Sequence, residues 1–234
     1  MVRHHLLQVV LVGSIPTPNF CEQLIKIRGW SWTHAPLKAP KRHPQNRRVF
    51  FMLKKRDLQD ASILFSLLED DAVKPYVREK ADSVEEYYFV LNKMIHDEED
   101  GELISRTILD DWEQPIGAIT LYDIQDGKGF LATWIGKPYF GKGYNQFAKE
   151  AFLTELFTEK EIDIVFLKVN QLNIRSLKAM EKLSYAVNVT ETFPSIVEQI
   201  NTGERKYELF AIYKDAFTIY AYEQDQALRE ELEA

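Results

Sequence analysis

The stretch WIGKPYFGKGYNQFAKEAF, residues 134–152, decides the fold of this chain. It begins as a strand-like run, passes through a glycine-rich turn and ends with helical spacing, which places on one face Tyr144, Phe147, Ala148, Ala151 and Phe152. A strand, a glycine-rich turn and a helix in this order predict an anion site. The first helical N–H groups lack backbone partners, the helix dipole is positive there, and glycines let a phosphate approach the backbone.

The same turn falls one residue short of a nucleotide-binding P-loop. Gly136, Gly141 and Lys142 fit that motif, but Gly143 stands where a Ser or Thr would bind magnesium. The next apolar strand ends at Asn170 without the Asp that would complete a metal site. We therefore expect the turn to bind its anion without a metal ion.

The chain has the periodicity of an α/β domain from residue 49 onward. Strands are predicted near residues 49–55, 103–109, 116–122, 130–135, 162–170, 185–192 and 206–213. Helices are predicted from Asp57 to Leu68, from Ser83 to about His96, after Gly143, and from Asn173. The turn residues between the second, third and fourth strands favour an antiparallel meander, and the acidic residues 97–102 favour a solvated turn.

Charge divides the chain into unlike parts. Residues 1–50 carry a balance of +7 and the remainder −14, and the first fifty residues hold five of the nine prolines. We expect residues 1–48 to be a basic, Pro-rich extension that is poorly ordered or non-native, residues 49–215 to be the folded domain, and residues 216–234 to be an acidic helix or tail. Two alternatives for the extension stay open: an arm that binds RNA or the ribosome, and a signal peptide with a short apolar run, Leu6–Val12.

Cysteine usage and hydropathy indicate the compartment. A single cysteine, Cys21, excludes an intramolecular disulfide, and no Cys/His cluster has the spacing of a zinc site. No apolar stretch approaches the roughly 18 residues of a membrane span. We expect a cytoplasmic protein, a monomer or a homodimer, with no metal site and no membrane partner.

Two motifs in sequence order resemble the GCN5-related N-acetyltransferases (GNAT), and in particular their RimJ/RimL-like branch. The first is the stretch of residues 134–152, and the second is NQLNIRSLKAMEKLSY, residues 170–185. The likeness covers about residues 49–213. It implies an α/β (α+β) fold with a mixed, mostly antiparallel central sheet, helices on both faces, and a splayed strand pair that binds acetyl-CoA.

The resemblance also implies where acetyl-CoA binds. Backbone groups of Trp134 and Ile135 are expected to pair with the pantetheine arm. The N–H groups that hold the pyrophosphate belong to Phe140, Gly141, Lys142, Gly143, Tyr144 and Asn145. No metal ion is implied.

The second motif adds a polar pair. Asn173 and Ser176 match the family's N-x-x-S pattern, where these side chains contact the pantetheine arm or the thiol end of the coenzyme. The residues alone support an equal interpretation, in which Asn173 is a helix N-cap and Ser176 lies in the first turn.

The reaction implied by the resemblance is direct transfer of an acetyl group to a primary amine, on a protein N-terminus or a small molecule. The candidate oxyanion donor is the backbone N–H of Ile135, and Ser176 is the candidate group near the departing thiolate. Asp123 is the candidate carboxylate that takes the amine proton, with Glu102 and Glu191 open as alternatives. The acidic balance of the chain suits a cationic acceptor.

Departures from the family keep other functions open. Met180 stands where many members have a tyrosine that acts as general acid, so a catalytically silent sensor or scaffold that binds acyl-CoA is an alternative. Nucleic acid is expected as a partner only through residues 1–48. Tyr185, where the family usually has Phe, is expected to be a core aromatic residue with a hydrated hydroxyl.

Overall fold

A seven-stranded mixed sheet organises the computed structural model, which describes residues 52–233. Its strands are β1 (Leu53–Lys55), β2 (Ile104–Leu109), β3 (Pro115–Gln125), β4 (Lys128–Ile135), β5 (Ile164–Asn170), β6 (Ala186–Asn188) and β7 (Tyr207–Tyr213). The strand order is β1-β2-β3-β4-β5-β7-β6, and every neighbouring pair is antiparallel except β4 and β5. This confirms the predicted mixed, mostly antiparallel sheet.

Helices pack on both faces of the sheet. Within the described residues the α-helices are α1 (Ala61–Leu68), α2 (Val84–Glu99), α3 (Tyr144–Glu159), α4 (Ile174–Glu181), α5 (Pro194–Ile200) and α6 (Lys214–Glu233). The predicted caps are confirmed at Ser83, the N-cap of α2, and at Asp57, which caps the short 3-10 segment Leu58–Asp60 directly before α1. The Asp57 side chain accepts a hydrogen bond from the N–H of Gln59 at 2.9 Å, and Ser83 accepts one from the N–H of Glu86 at 3.1 Å.

The structure corrects the predicted acidic turn after α2. The helix continues through Glu99, so residues 97–99 are helical rather than part of a solvated turn. The reason is a tertiary contact, because Glu98 accepts hydrogen bonds from the side chain of Arg106 and from the N–H of Ser105.

Two further differences lie in the last fifty residues. The predicted strand at 185–192 shortens to Ala186–Asn188, and the unpredicted α5 follows with Pro194 in its first turn. The C-terminal helix begins at Lys214, directly after β7, and its Phe217 is buried in the main core. Its first half is therefore part of the domain and not an appendage. The predictions for residues 1–48, and for the first residues of the strand at 49–55, fall outside the described residues.

The parallel pair β4 and β5 separates after three residue pairs. Lys128–Phe130 pair with Ile164–Phe166, but further along β4 pairs only with β3 and β5 only with β7. The two strands therefore diverge toward their carboxyl ends, and the starts of α3 and α4 follow those ends in sequence. This confirms the predicted splayed strand pair.

Apolar clusters pack on both faces of the sheet. The largest, called the main core, lies between the sheet and helices α3 and α6 and includes Ile119, Leu121, Phe152, Leu156 and Phe217. On the opposite face α1 and α2 pack against β3 and β4 through Leu64, Leu68, Leu91, Ala118 and Trp134. A third cluster on that opposite face joins β5 and β7 to α5. The α1/α2 cluster and the α5 cluster share no residue.

Arg106 on β2 ties both helical layers to the sheet. Its side chain is only 7% exposed, and its Nη1 donates to Glu98 on α2 at 2.6 Å. Its Nε and Nη2 donate to the two carboxylate oxygens of Glu155 on α3, the Nε bond measuring 3.1 Å. A buried guanidinium with two carboxylate partners keeps its charge compensated.

Glu155→Gln is expected to lower the free energy of unfolding by about 1–3 kcal/mol, because Arg106 loses one charged hydrogen-bond partner and retains Glu98. Urea unfolding followed by circular dichroism measures the change. The control is Asp97→Asn, which removes the exposed Lys93–Asp97 pair on α2 and should have a much smaller effect, since water and salt screen such pairs. Equal losses in the two variants would contradict this role of Arg106.

Candidate functional site

The backbone of β4 alternates between its two neighbouring strands. The N–H of Gly136 donates to the carbonyl of Ile116 at 2.8 Å, so the even-numbered residues of β4 bond to β3. The backbone groups of the odd-numbered Leu131, Thr133 and Ile135 therefore point toward β5. Since the last pair of the parallel ladder uses the N–H of Leu131, the first groups left without a strand partner are the Leu131 carbonyl and both groups of Thr133 and Ile135.

The facing edge of β5 has the complementary alternation. The N–H of Gln171 donates to the carbonyl of Lys206 at 2.9 Å, so odd-numbered residues of β5 bond to β7. Even-numbered Lys168 consequently directs its backbone groups toward β4, as does the N–H of Asn170, whereas the Asn170 carbonyl accepts from the N–H of Asn173 at 2.8 Å. The opening between the two strands, called the splay, is thus lined on both sides by peptide groups that have no partner in a neighbouring strand.

This register separates the two strand residues that the sequence singled out. Ile135 has its N–H in the opening, as its predicted role requires. Trp134 lies opposite Ala118 and bonds to β3, so its backbone is not available in the opening, and its side chain is buried under α1. Thr133, which sequence reasoning missed, has the free groups instead. Because backbone direction alternates along a strand with a period of two residues, the residue two positions before Ile135 has its N–H and C=O on the same edge, and this would have identified Thr133.

The turn after β4 presents backbone N–H groups at the start of α3. Gly141 and Gly143 have φ angles of +73° and +85°, in the left-handed region that favours glycine. Gly143 is the N-cap of α3, and no side chain caps the helix there. Within residues 52–233 no group accepts a hydrogen bond from the N–H of Gly143, Tyr144 or Asn145. The turn is exposed, so an anion can reach these donors.

The structure brings the two sequence motifs into contact. The guanidinium carbon of Arg175, at the start of α4, lies 4.3 Å from the ring centroid of Phe140 in the turn. Beside it, the side-chain oxygen of Asn173 accepts a hydrogen bond from the N–H of Ser176 at 3.1 Å. The capping role of Asn173 is confirmed, and Ser176 is half-buried in the first turn. Arg175 was not predicted, because no local pattern shows its cross-motif partner.

Comparison with known families gives the same assignment as the geometry. Residues 51–185 match the family described as the acetyltransferase (GNAT) domain. The chain belongs to this family. No curated protein matches the sequence significantly.

Solved structures share the acetyltransferase fold at low sequence identity. The spermidine N-acetyltransferase of Vibrio cholerae, in complex with CoA and spermine, is 17% identical with a TM-score of 0.58, over 71% of this chain and 96% of that chain. RimL, a ribosomal L7/L12 alpha-N-protein acetyltransferase, is 15% identical with a TM-score of 0.57, over 69% and 88%. FdhC, a nucleotide-linked sugar GNAT, is 15% identical with a TM-score of 0.59, over 74% and 91%.

One hydroxyl of the acetyltransferase domain is buried without a partner beside the splayed strands. Thr133 lies opposite Ile119, a member of the core under α3, so its side chain is on the α3 face of the sheet. Its Oγ1 has no hydrogen-bond partner among the described residues. An unsatisfied buried hydroxyl costs about 1–3 kcal/mol, which a polar ligand in the opening would recover.

Asp123, the candidate base, is held in an ion pair. It lies at the end of β3 with a φ of +53°, and its two oxygens accept from Arg78 at 3.0 and 3.1 Å. This bidentate contact lowers the pKa of the Asp123 carboxyl, so the group is charged at neutral pH but is a weak proton acceptor. The alternatives Glu102 and Glu191 are exposed. The assignment of a base among these residues stays a prediction.

Tyr185 and Met180 lie in the main core of the domain. Both side chains are only 2% exposed, which confirms the core position predicted for Tyr185. Its hydroxyl was expected to be hydrated, and this is wrong, because the oxygen is buried without a partner among the described residues and burial raises its pKa. The rings of Phe217 and Tyr220 from α6 enclose it, at centroid distances of 5.2 and 4.6 Å. Sequence reasoning placed α6 outside the domain and so missed this enclosure.

Among the helices of residues 52–233, none combines the length and apolar character that a membrane-spanning segment requires.

A cleft of about 390 Å³ is bordered by the end of α2 and the start of β2, with Lys55, Glu99, Gly101 and Lys160 in its lining. None of its lining residues belongs to the open part of the splay.

Gly143→Ala is expected to lower the free energy of unfolding by about 1–2 kcal/mol, because alanine is strained at a left-handed φ. The added Cβ would also lie 3.2 Å from the ring of Phe147. Gly203→Ala is the control, since its Cβ has nothing within 4 Å and its φ lies outside the left-handed region. Thermal or urea unfolding measures both variants. Equal stability of Gly143→Ala and the wild type would contradict the left-handed turn.

Proposed function

We propose that this protein is an acetyl-CoA-dependent N-acetyltransferase that transfers the acetyl group directly to a primary amine, on a protein N-terminus or a small molecule. The observation that carries the proposal is the continuity of two sets of free backbone groups. Unpaired peptide groups of Thr133 and Ile135 line the splay, and the uncapped N–H groups of residues 143–145 follow them at the start of α3.

The turn fits the pyrophosphate of the coenzyme. Free N–H groups and the positive end of the α3 dipole attract phosphate oxygens without a metal ion. The left-handed Gly141 and Gly143 keep the backbone accessible, and Lys142 adds positive charge, its ammonium 5.3 Å from the ring of Tyr139. Tyr144 and Asn145 complete the proposed cradle, while Asn173 and Ser176 border it from α4. The N–H of Phe140 was expected to belong to the cradle, and this is wrong, because it donates to the carbonyl of Lys137 at 3.1 Å.

The splay fits the pantetheine arm. This arm carries amide groups, so it can lie along β4 like an added strand and pair with the backbone of Thr133 and Ile135. The Thr133 hydroxyl supplies a further polar group that has no protein partner. The closed end of the splay limits how far the thioester can enter, since β4 and β5 are paired up to Phe130 and Phe166.

The coenzyme, when bound, supplies an activated acetyl thioester. A backbone N–H in the splay would donate to the thioester oxygen as negative charge develops there. Ile135 is adjacent to the turn that holds the pyrophosphate, and Thr133 lies two residues, about 6.6 Å, deeper. Because the pantetheine arm separates the pyrophosphate from the thioester, we assign this donor to Thr133 in preference to Ile135. Ser176 remains the proposed group near the departing thiolate.

A catalytically silent acyl-CoA sensor is the second candidate. Met180, at the position where many members have a tyrosine acid, is buried and cannot donate a proton. Release of free thiol from acetyl-CoA in the presence of primary amines separates the two candidates. Tight binding without turnover on any amine would favour the sensor.

Three finer assignments accompany the proposal. Membership of the RimJ/RimL-like branch rests on the turn motif of residues 136–143, and a cytoplasmic location rests on the single cysteine. A role in RNA or ribosome binding rests on the charge of residues 1–48 alone. If removal of those residues leaves RNA affinity and its salt dependence unchanged, that role is excluded.

Isothermal calorimetry is expected to show that acetyl-CoA binds the full chain in the presence of EDTA, because backbone N–H groups hold the pyrophosphate. ATP with magnesium should bind much more weakly at the same turn. Gly141→Ala is expected to weaken acetyl-CoA binding, since its φ of +73° is strained for alanine although its Cβ meets no atom within 4 Å. Absence of acetyl-CoA binding to the folded chain would overturn the proposed function.

Thr133→Val is expected to weaken acetyl-CoA binding by about tenfold, because one hydrogen bond to the pantetheine arm is lost. The stability of the ligand-free protein should stay equal or rise, since the substitution removes a buried hydroxyl without a partner. Calorimetry and urea unfolding give the two values. Unchanged affinity together with lower stability would show that the hydroxyl has a structural role only.

A further inference from the structure

The two faces of the splay differ in access. On the α3 face, Leu131, Leu167 and Val169 are buried in the main core. On the opposite face, Ala132 is half-buried and Lys168 is exposed. We therefore expect an acceptor amine to reach the thioester from the face opposite α3, on the β5 side where Lys168 is exposed.

Lys168 lies on this face of β5. Its register partner on β7 is Leu209, a member of the α5 cluster, so its side chain lies on the open face. The Lys168 ammonium is 5.8 Å from the ring centroid of Tyr207. Within residues 52–233 the Lys168 ammonium forms no ion pair and no side-chain hydrogen bond. Lys168 lies in the part of β5 that is no longer paired with β4.

Arg78 places a second cation on the same side. Its guanidinium carbon lies 4.2 Å from the ring centroid of Tyr122, which faces α2, and it binds both oxygens of Asp123. Arg78 and Asp123 are close enough to Lys168 to influence its charge electrostatically. Two cations thus face a single carboxylate, and burial together with Arg78 lowers the pKa of Lys168.

Lys168 is thus the cation on the open face of β5 that has no ion-pair partner among the described residues, although the chain as a whole has a net charge of −7.

We propose that the acceptor is an amine that also carries an anionic group, a carboxylate or a phosphate, and that Lys168 binds this group. The inference rests on the proposed acetyltransferase function and specifies its substrate class. An ammonium without an ion-pair partner stabilises an anion through charge-assisted hydrogen bonds, and it repels a polycation. The acceptor expected from the overall acidic charge was cationic, and the local charges favour the opposite sign.

Calorimetry on the CoA-loaded full chain tests the inference with matched acceptors. Glucosamine 6-phosphate is compared with glucosamine, and a short peptide with a free N-terminus and acidic residues is compared with its amide counterpart. Spermidine is the polycationic reference. The two pairs distinguish a small acceptor from a protein N-terminus. In at least one pair the anionic member is expected to bind about tenfold or more tightly than its neutral partner.

The variant Lys168→Met is expected to remove most of that preference, and Lys160→Met is the control because Lys160 lies at the far end of α3. Urea unfolding verifies that both variants are folded. The inference is overturned if spermidine binds as tightly as the anionic members, if neither anionic member is preferred, or if Lys168→Met leaves the preference unchanged. Loss of acetyl-CoA binding would instead refute the underlying function, so the two failures are distinguishable.

Discussion

The separation of β4 from β5 is the constraint on which the rest of the site depends. A parallel pair that continued to the ends of both strands would satisfy every peptide group between them, as buried backbone groups require. Here β5 takes β7 as its partner along its whole length, and β4 takes β3, so their facing edges separate after Phe130 and Phe166. The unpaired groups at Thr133, Ile135 and Lys168 follow from this topology and not from any special side chain.

The helical layers hold that separation in place. Arg106 binds Glu98 of α2 and Glu155 of α3, so helices on opposite faces share one buried guanidinium in the sheet. Arg175 stacks on Phe140 and joins the start of α4 to the glycine turn. The glycine turn, which follows β4, is therefore stabilised by the start of α4, which follows β5.

The positions of the strands along the chain and most helices could be predicted because their signals are local. Helix caps such as Asp57 and Ser83, and the glycine turn before α3, are set by neighbours in sequence. What was missed depends on distant partners. The extension of α2 requires Arg106, and the ion pair of Asp123 requires Arg78, which is 45 residues away. The role of Thr133 became visible only once the register with β3 fixed which backbone groups face the opening.

The proposed use of main-chain groups as ligands has an evolutionary consequence. Every residue except proline supplies the same N–H and C=O, so side chains along β4 can be exchanged without removing the donors and acceptors in the splay. Selection then acts on strand register and on a few glycine torsion angles, and leaves most positions free to drift. This accounts physically for a shared architecture at 15–17% identity with a polyamine, a ribosomal-protein and a sugar-nucleotide acetyltransferase.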